Sequence, residues 1–155
     1  MATAWRIVSP RYSTEILSGI GAARYPGRWN RPGEQLIYTA GAQSLALLER
    51  LVYMISPFPE MTIGAITLPN KYIETLDLAE SEVPDLLADR NTSQQIGSGW
   101  ITSNHSAALA VPSVHIHPTN WTKEPNILIN PLHPDFKRAK LTNTFTFKYD
   151  HRLQK

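Results

Sequence analysis

Apolar residues in this chain fall into short runs separated by proline, glycine and small polar residues, and the spacing inside each run predicts its element. Trp5–Val8 reads as a strand stopped by Ser9-Pro10, and Leu36–Ala40 as another broken by Gly41. Leu45, Leu48, Leu51, Val52 and Ile55 then recur at the i, i+3, i+4, i+7 spacing of one helical face. That predicts a helix over 45–55, capped by Ser44 and ended by Ser56-Pro57. Glu49 sits on the edge of the apolar stripe, half inside, while Arg50 projects to the opposite side.

Met61–Leu68 and Tyr72–Leu76 read as strands rich in Ile, Thr and Tyr. Val83–Asp89 and Gln94–Ser103 read as helices, the second weakened by Gly97 and Gly99. Leu109–His117 reads as a strand bent at Pro112, Asn126–Asn130 as a short one closed by Pro131, and Thr144–Tyr149 as a closing strand. Helices interspersed among short strands, without regular βαβ units, predict a mixed α/β domain of the α+β type.

At 155 residues the chain fits one domain spanning 1–155. Twelve prolines against eight glycines fit many short elements joined by stiff turns. The net charge is only +2, and the densest basic cluster, Lys137, Arg138 and Lys140, reads as a solvated face, too small for a nucleic-acid stripe. The absence of cysteine excludes disulfides, thiolate catalysis and cysteine-rich zinc sites. No stretch approaches the ~20 apolar residues of a membrane span, and the N-terminus lacks a signal pattern, so a cytoplasmic protein is expected.

Phosphate-binding glycine loops, a dinucleotide fingerprint and a G-x-S-x-G elbow are all missing. His115 and His117 would alternate along a strand and face one way, but they lack a third ligand, so no metal site is expected. What remains is a polar stretch over 18–33 holding Arg24, Tyr25, Arg28, Trp29, Asn30 and Arg31, followed by the half-buried Glu49. Arginine grips phosphate bidentately, aromatic faces stack on bases, and one carboxylate stabilises a developing ribosyl cation. A plain Arg–Glu salt bridge is the alternative reading of the same residues.

The runs Gly27-Arg28-Trp29-Asn30-Arg31-Pro32-Gly33, Ile37-Tyr38-Thr39-Ala40, Leu45-Ala46-Leu47-Leu48-Glu49, Val111-Pro112-Ser113 and Asn126–Phe136 resemble, in order, the signature of the RES domain. The ending Tyr149-Asp150-His151-Arg152-Leu153 also resembles that family, with His151 where proline is common. Tyr25-Pro26 departs from the usual glycine before the GRWN run.

The resemblance implies an ADP-ribosyltransferase-like fold: a split, mixed β-sheet core with flanking helices around an NAD cleft. It implies a toxin partnered with an Xre-type helix-turn-helix antitoxin in a higher-order complex, DNA contact being left to the antitoxin. NAD is then a substrate, cleaved at its nicotinamide–ribose bond by hydrolysis or phosphorolysis, and no cofactor is required. Carried over by motif, Arg28, Tyr38, Glu49 and Ser113 are the catalytic residues. Arg6, Arg28, Trp29, Asn30, Tyr38 and Ser113 are those expected to bind NAD, with Ser113 on the ribose and Tyr38 stacked on the nicotinamide end. The alternatives are ADP-ribosyl transfer to a protein and a silent antitoxin-binding module. Leu47, two residues before Glu49, disfavours the Glu-x-Glu arrangement of arginine-directed transferases.

Overall fold

The fold is described from a computed structural model, which covers residues 1–154. Its strands are β1 (Ala2–Val8), β2 (Ile37–Ala40), β3 (Met61–Leu68), β4 (Ile73–Thr75), β5 (Ala108–Val111), β6 (Asn126–Ile129) and β7 (Lys140–Phe147). They form one seven-stranded mixed sheet in the order β4-β5-β6-β2-β1-β3-β7, with β4–β5 the parallel pair. The helices are α1 (Ile20–Arg24), α2 (Gln43–Leu51), α3 (Val83–Ala88) and α4 (Arg90–Ser103). The expected mixed α/β class and split sheet are what the chain adopts.

The split has a specific place. β1 pairs with β3 along its whole length, and β2 with β6 over four residues, yet β1 and β2 share the single register pair Trp5↔Ala40. The sheet therefore parts between β1 and β2, and the main cleft opens there. On the β6 side both faces are covered, as near-continuous apolar strands require. Ile127 and Ile129 pack with Ile37, Ile66 and Leu68, while Leu128 packs with Trp29, Leu36, Trp100 and Leu109 on the other face. Each fully buried Leu or Ile contributes about 2 kcal/mol.

Four elements differ from the sequence expectation. α2 begins at Gln43 and stops at Leu51; its cap position is Ala42, without a side-chain bond, in place of Ser44. Only Leu45 and Ala46 of α2 are buried, and Val52 and Ile55 are 61% and 84% exposed, so the apolar stripe runs out of the core onto the surface. β5 ends at Val111 because Pro112 has no N–H to continue the ladder, so His115 lies in a turn and His117 caps a short 3-10 helix, neither on a strand. The stretch over 18–33 carries α1, and α4 starts at Arg90, four residues earlier than expected, because Asp89 accepts from the N–H groups of Asn91 and Thr92.

Gly97 explains how α4 packs. A Cβ there would lie 1.8 Å from the carbonyl oxygen of Trp29, so the glycine lets helix and loop backbones touch.

Candidate active site

Between β1, β2, α1 and α2 lies a cleft with a volume of about 1030 Å³, large enough for a dinucleotide. Arg6, Arg11, Arg24, Arg28, Arg50 and Arg90 line it, against the carboxylates Glu15 and Glu49. Six guanidinium groups facing two carboxylates make its interior attractive to anions.

The loop before β2 is built around Asn30, which is fully buried. Its Nδ2 donates to the carbonyls of Ala22 (2.8 Å), Glu34 (3.0 Å) and Arg31 (3.3 Å). Its Oδ1 accepts from Gly27 N–H at 2.8 Å and from the Tyr38 hydroxyl at 2.7 Å. The same hydroxyl accepts from Trp29 N–H at 3.0 Å. Burial pushes the Tyr38 phenol up to about 12, against the lowering contact with Trp29 N–H. A Cβ on Gly27 would meet the Tyr38 oxygen at 2.6 Å, so Gly27 is the residue that admits it. The Trp29 side chain, 2% exposed, belongs to the core. The polar groups of Asn30 and Tyr38 thus hold the loop, and the Trp29 ring anchors it.

Two expected arginines reach the cleft from opposite sides. Arg6, on β1, donates to the carbonyls of Ile16 and Ser18, the latter at 2.9 Å. Burial pushes its guanidinium down to about 10, while Glu15 pulls the other way. Arg28 donates to the Leu87 carbonyl at the end of α3, and its own carbonyl accepts from Ser93 Oγ at 2.8 Å. Arg28 and Glu49 form no salt bridge, which removes the reading of the two as a simple ion pair.

Glu49 projects from α2 with one oxygen held and the other open. Its Oε1 accepts from Ser113 Oγ at 2.6 Å and from Asn126 Nδ2 at 2.6 Å. Its Oε2 stands 3.6 Å from His115 Nε2, and the side chain is 33% exposed. Ser113 is 1% exposed, follows β5 through Pro112, and accepts His115 N–H at 3.1 Å. Asn126 heads β6 opposite Ala40 of β2, which points it at the base of α2. Among the described residues no group of three or more His, Asp or Glu is arranged to hold a metal ion.

Sequence reasoning therefore named Glu49 and Ser113 but missed Asn126, His115 and Arg90. Arg90 caps the Arg28 loop by donating to the Pro26 carbonyl at 2.6 Å. The readable signal for Asn126 was a polar residue at the head of an otherwise apolar strand.

The RES domain profile matches residues 3–150. The chain belongs to the RES-domain family. It is 34% identical over 165 residues to the Prs ADP-ribosylating toxin of Sphingobium sp. (strain YBL2), covering 96% of this chain and 94% of that one. It is also 34% identical over 155 residues to Toxin Res of Yersinia enterocolitica, covering 97% and 98%. Toxin Res of Photorhabdus laumondii is 31% identical over 97% of this chain and 96% of its own length. In fold, the RES domain is similar to a chain of the M. tuberculosis MbcT–MbcA toxin–antitoxin complex, with a TM-score of 0.73 over 95% of this chain and 84% of that one, at 16% identity. The motif arginine, glutamate and serine of this RES domain, Arg28, Glu49 and Ser113, all line one cleft.

Proposed function

We propose that this RES-domain toxin degrades NAD by breaking the nicotinamide–ribose bond. The observation that carries the reading is Glu49, which lines an arginine-lined cleft and is anchored through Oε1, leaving Oε2 without a hydrogen-bond donor. Nicotinamide leaves as a neutral molecule and needs no general acid, so the remaining task is to favour positive charge on the ribose. An anionic oxygen fixed beside the anomeric carbon does that without reorganising during the reaction. Arg6 and Arg28 grip the diphosphate from the two sides of the cleft. The Tyr38 ring and the loop over 27–30 form the wall at the nicotinamide end.

The test is nicotinamide release from NAD by the pure protein. Glu49→Ala and Arg28→Ala are expected to lose at least ~100-fold in turnover while keeping the wild-type circular dichroism spectrum. Either variant at wild-type turnover overturns the assignment. A second reading, ADP-ribosyl transfer to a protein, is favoured by the name of the Sphingobium relative. Radiolabelled NAD added to a cell extract separates the two, since transfer puts label into a protein band and degradation leaves it in free ADP-ribose or its phosphate.

We also propose that the toxin acts in the cytoplasm, held inactive by an Xre-type antitoxin. No helix among the described residues is long and apolar enough to cross a membrane. Tyr25, Val52, Tyr53 and Val114 are 84%, 61%, 76% and 54% exposed at the cleft mouth, an apolar rim suited to a protein partner. Co-expression with the antitoxin is expected to give one co-eluting complex that releases no nicotinamide.

A further inference from the structure

We infer that His115 is a further catalytic residue, the base that takes a proton from the water capturing the ribosyl cation, so that water is the acceptor. This rests on the NAD-cleaving reading above. His115 lies in the turn closed by Ile116 N–H onto the Ser113 carbonyl at 3.2 Å. Its backbone N–H donates to Ser113 Oγ, and its Nε2 stands 3.6 Å from Glu49 Oε2. The side chain is 23% exposed, and among the described residues its ring donates or accepts no hydrogen bond. The polar neighbour of the imidazole is thus Glu49 Oε2, the oxygen of that carboxylate left without a hydrogen-bond donor.

Glu49 is poorly suited to the same task. Its Oε1 already takes two donors, and a proton on Oε2 would remove the charge that stabilises the cation. An anomeric carbon resting about 3–3.5 Å from Oε2 would be within reach of a water hydrogen-bonded to Nε2. The other charged groups of the cleft are Arg50 on α2, Arg6 on β1, Glu15 after it, Arg28 and Arg24 in the loop region, Arg11, and Arg90 on α4. All except Glu15 are cations, so His115 is the base that the acceptor side offers beside Glu49.

The acceptor follows from the chemistry of the base. Dianionic phosphate attacks through an oxygen already free of its proton, whereas water must lose one. The C1′–N bond breaks with its electron pair passing to the nicotinamide nitrogen, which discharges the pyridinium. Water oxygen then bonds C1′, its proton passes to Nε2 of an imidazole protonated on Nδ1, and His115 returns that proton to solvent. The products are nicotinamide, ADP-ribose and one proton.

The experiment compares the full-length wild type with His115→Gln and His115→Asn across pH, in buffers with and without phosphate. It follows ADP-ribose formation and the exchange of labelled nicotinamide into NAD. The wild type is expected to give ADP-ribose in both buffers, with an acid limb in kcat/KM. The variants are expected to lose about 100-fold or more of ADP-ribose formation and to lose the limb, while label still exchanges into NAD, because C1′–N cleavage does not use His115. Two results overturn the inference alone: variants with the wild-type rate and limb, or the 1″-phosphate of ADP-ribose dominating as product in phosphate buffer. A wild type that releases no nicotinamide at any pH overturns the underlying reading and the inference together.

Discussion

The Ser113 hydroxyl donates its single proton to Glu49 Oε1 at 2.6 Å. Ser113 is 1% exposed, lines the cleft, and orients the carboxylate through this bond. With Asn126 on the same oxygen, the lone pairs left free are those of Oε2. On the proposed NAD-cleaving reading, this bond assigns Ser113 a positioning role.

Ser113→Ala tests that role. The near-isosteric change leaves the packing intact and removes one hydrogen bond to a charged group, about 1–3 kcal/mol. The expected result is a kcat for nicotinamide release lowered about 10- to 100-fold with KM for NAD within twofold. A raised KM with unchanged kcat would mean that the serine touches substrate.

Asn30→Ala is expected to act through stability. Its two donors and one acceptor serve five partners in the buried loop, and deleting the amide orphans Gly27 N–H and the Tyr38 hydroxyl. The expected loss is about 2–4 kcal/mol, read as a shift of the urea midpoint at constant slope. A variant of wild-type stability but raised KM would instead make Asn30 a substrate contact.

Much of this was legible in the sequence, and the gaps have physical causes. Every strand was located from short apolar or alternating runs bounded by turn residues, because both are local signals. The end of α2 was misread because Val52 and Ile55 continue a helical stripe that serves the cleft rim and not the core. The start of α4 was missed because Arg90, Asn91 and Thr92 carry no apolar pattern and depend on the Asp89 cap. Arg28 and Glu49 stood out from residue type and helical position, and motif resemblance added Ser113. Their partners could not be read this way: Glu49 meets Ser113 and Asn126 across 64 and 77 residues, through the β2–β6 register that only folding sets.

Tyr38 should leave a mark on alkaline stability. Its folded-state pKa is pushed up to about 12, above the usual value of 10.0, so the folded protein holds the phenolic proton longer than the unfolded chain. Stability is then full below pH ~10 and falls as the pH rises towards 12, by on the order of 2 kcal/mol once partial exposure is allowed for. Arg6 works in the opposite direction, since its depressed pKa makes stability rise with pH over the upper part of that window. The difference between wild type and Tyr38→Phe isolates the tyrosine: denaturation midpoints across pH 9–12 are expected to fall less steeply in the variant. Parallel curves would contradict the burial of the phenol.

Arg6 offers the sharpest test of how the cleft takes a dinucleotide. Burial holds its guanidinium down at about 10 against the raising influence of Glu15, and its hydrogen-bond partners are carbonyls, so a bound anion would repay a desolvation already incurred in the fold. Arg6→Gln keeps a polar amide on β1 and removes the charge. The expected result is a KM for NAD raised about tenfold or more, with kcat changed far less, because the diphosphate is gripped equally in ground and transition states. Inorganic pyrophosphate should likewise raise the wild-type Tm and leave that of the variant unmoved. Equal protection of both proteins would assign the diphosphate to the Arg28 side of the cleft alone.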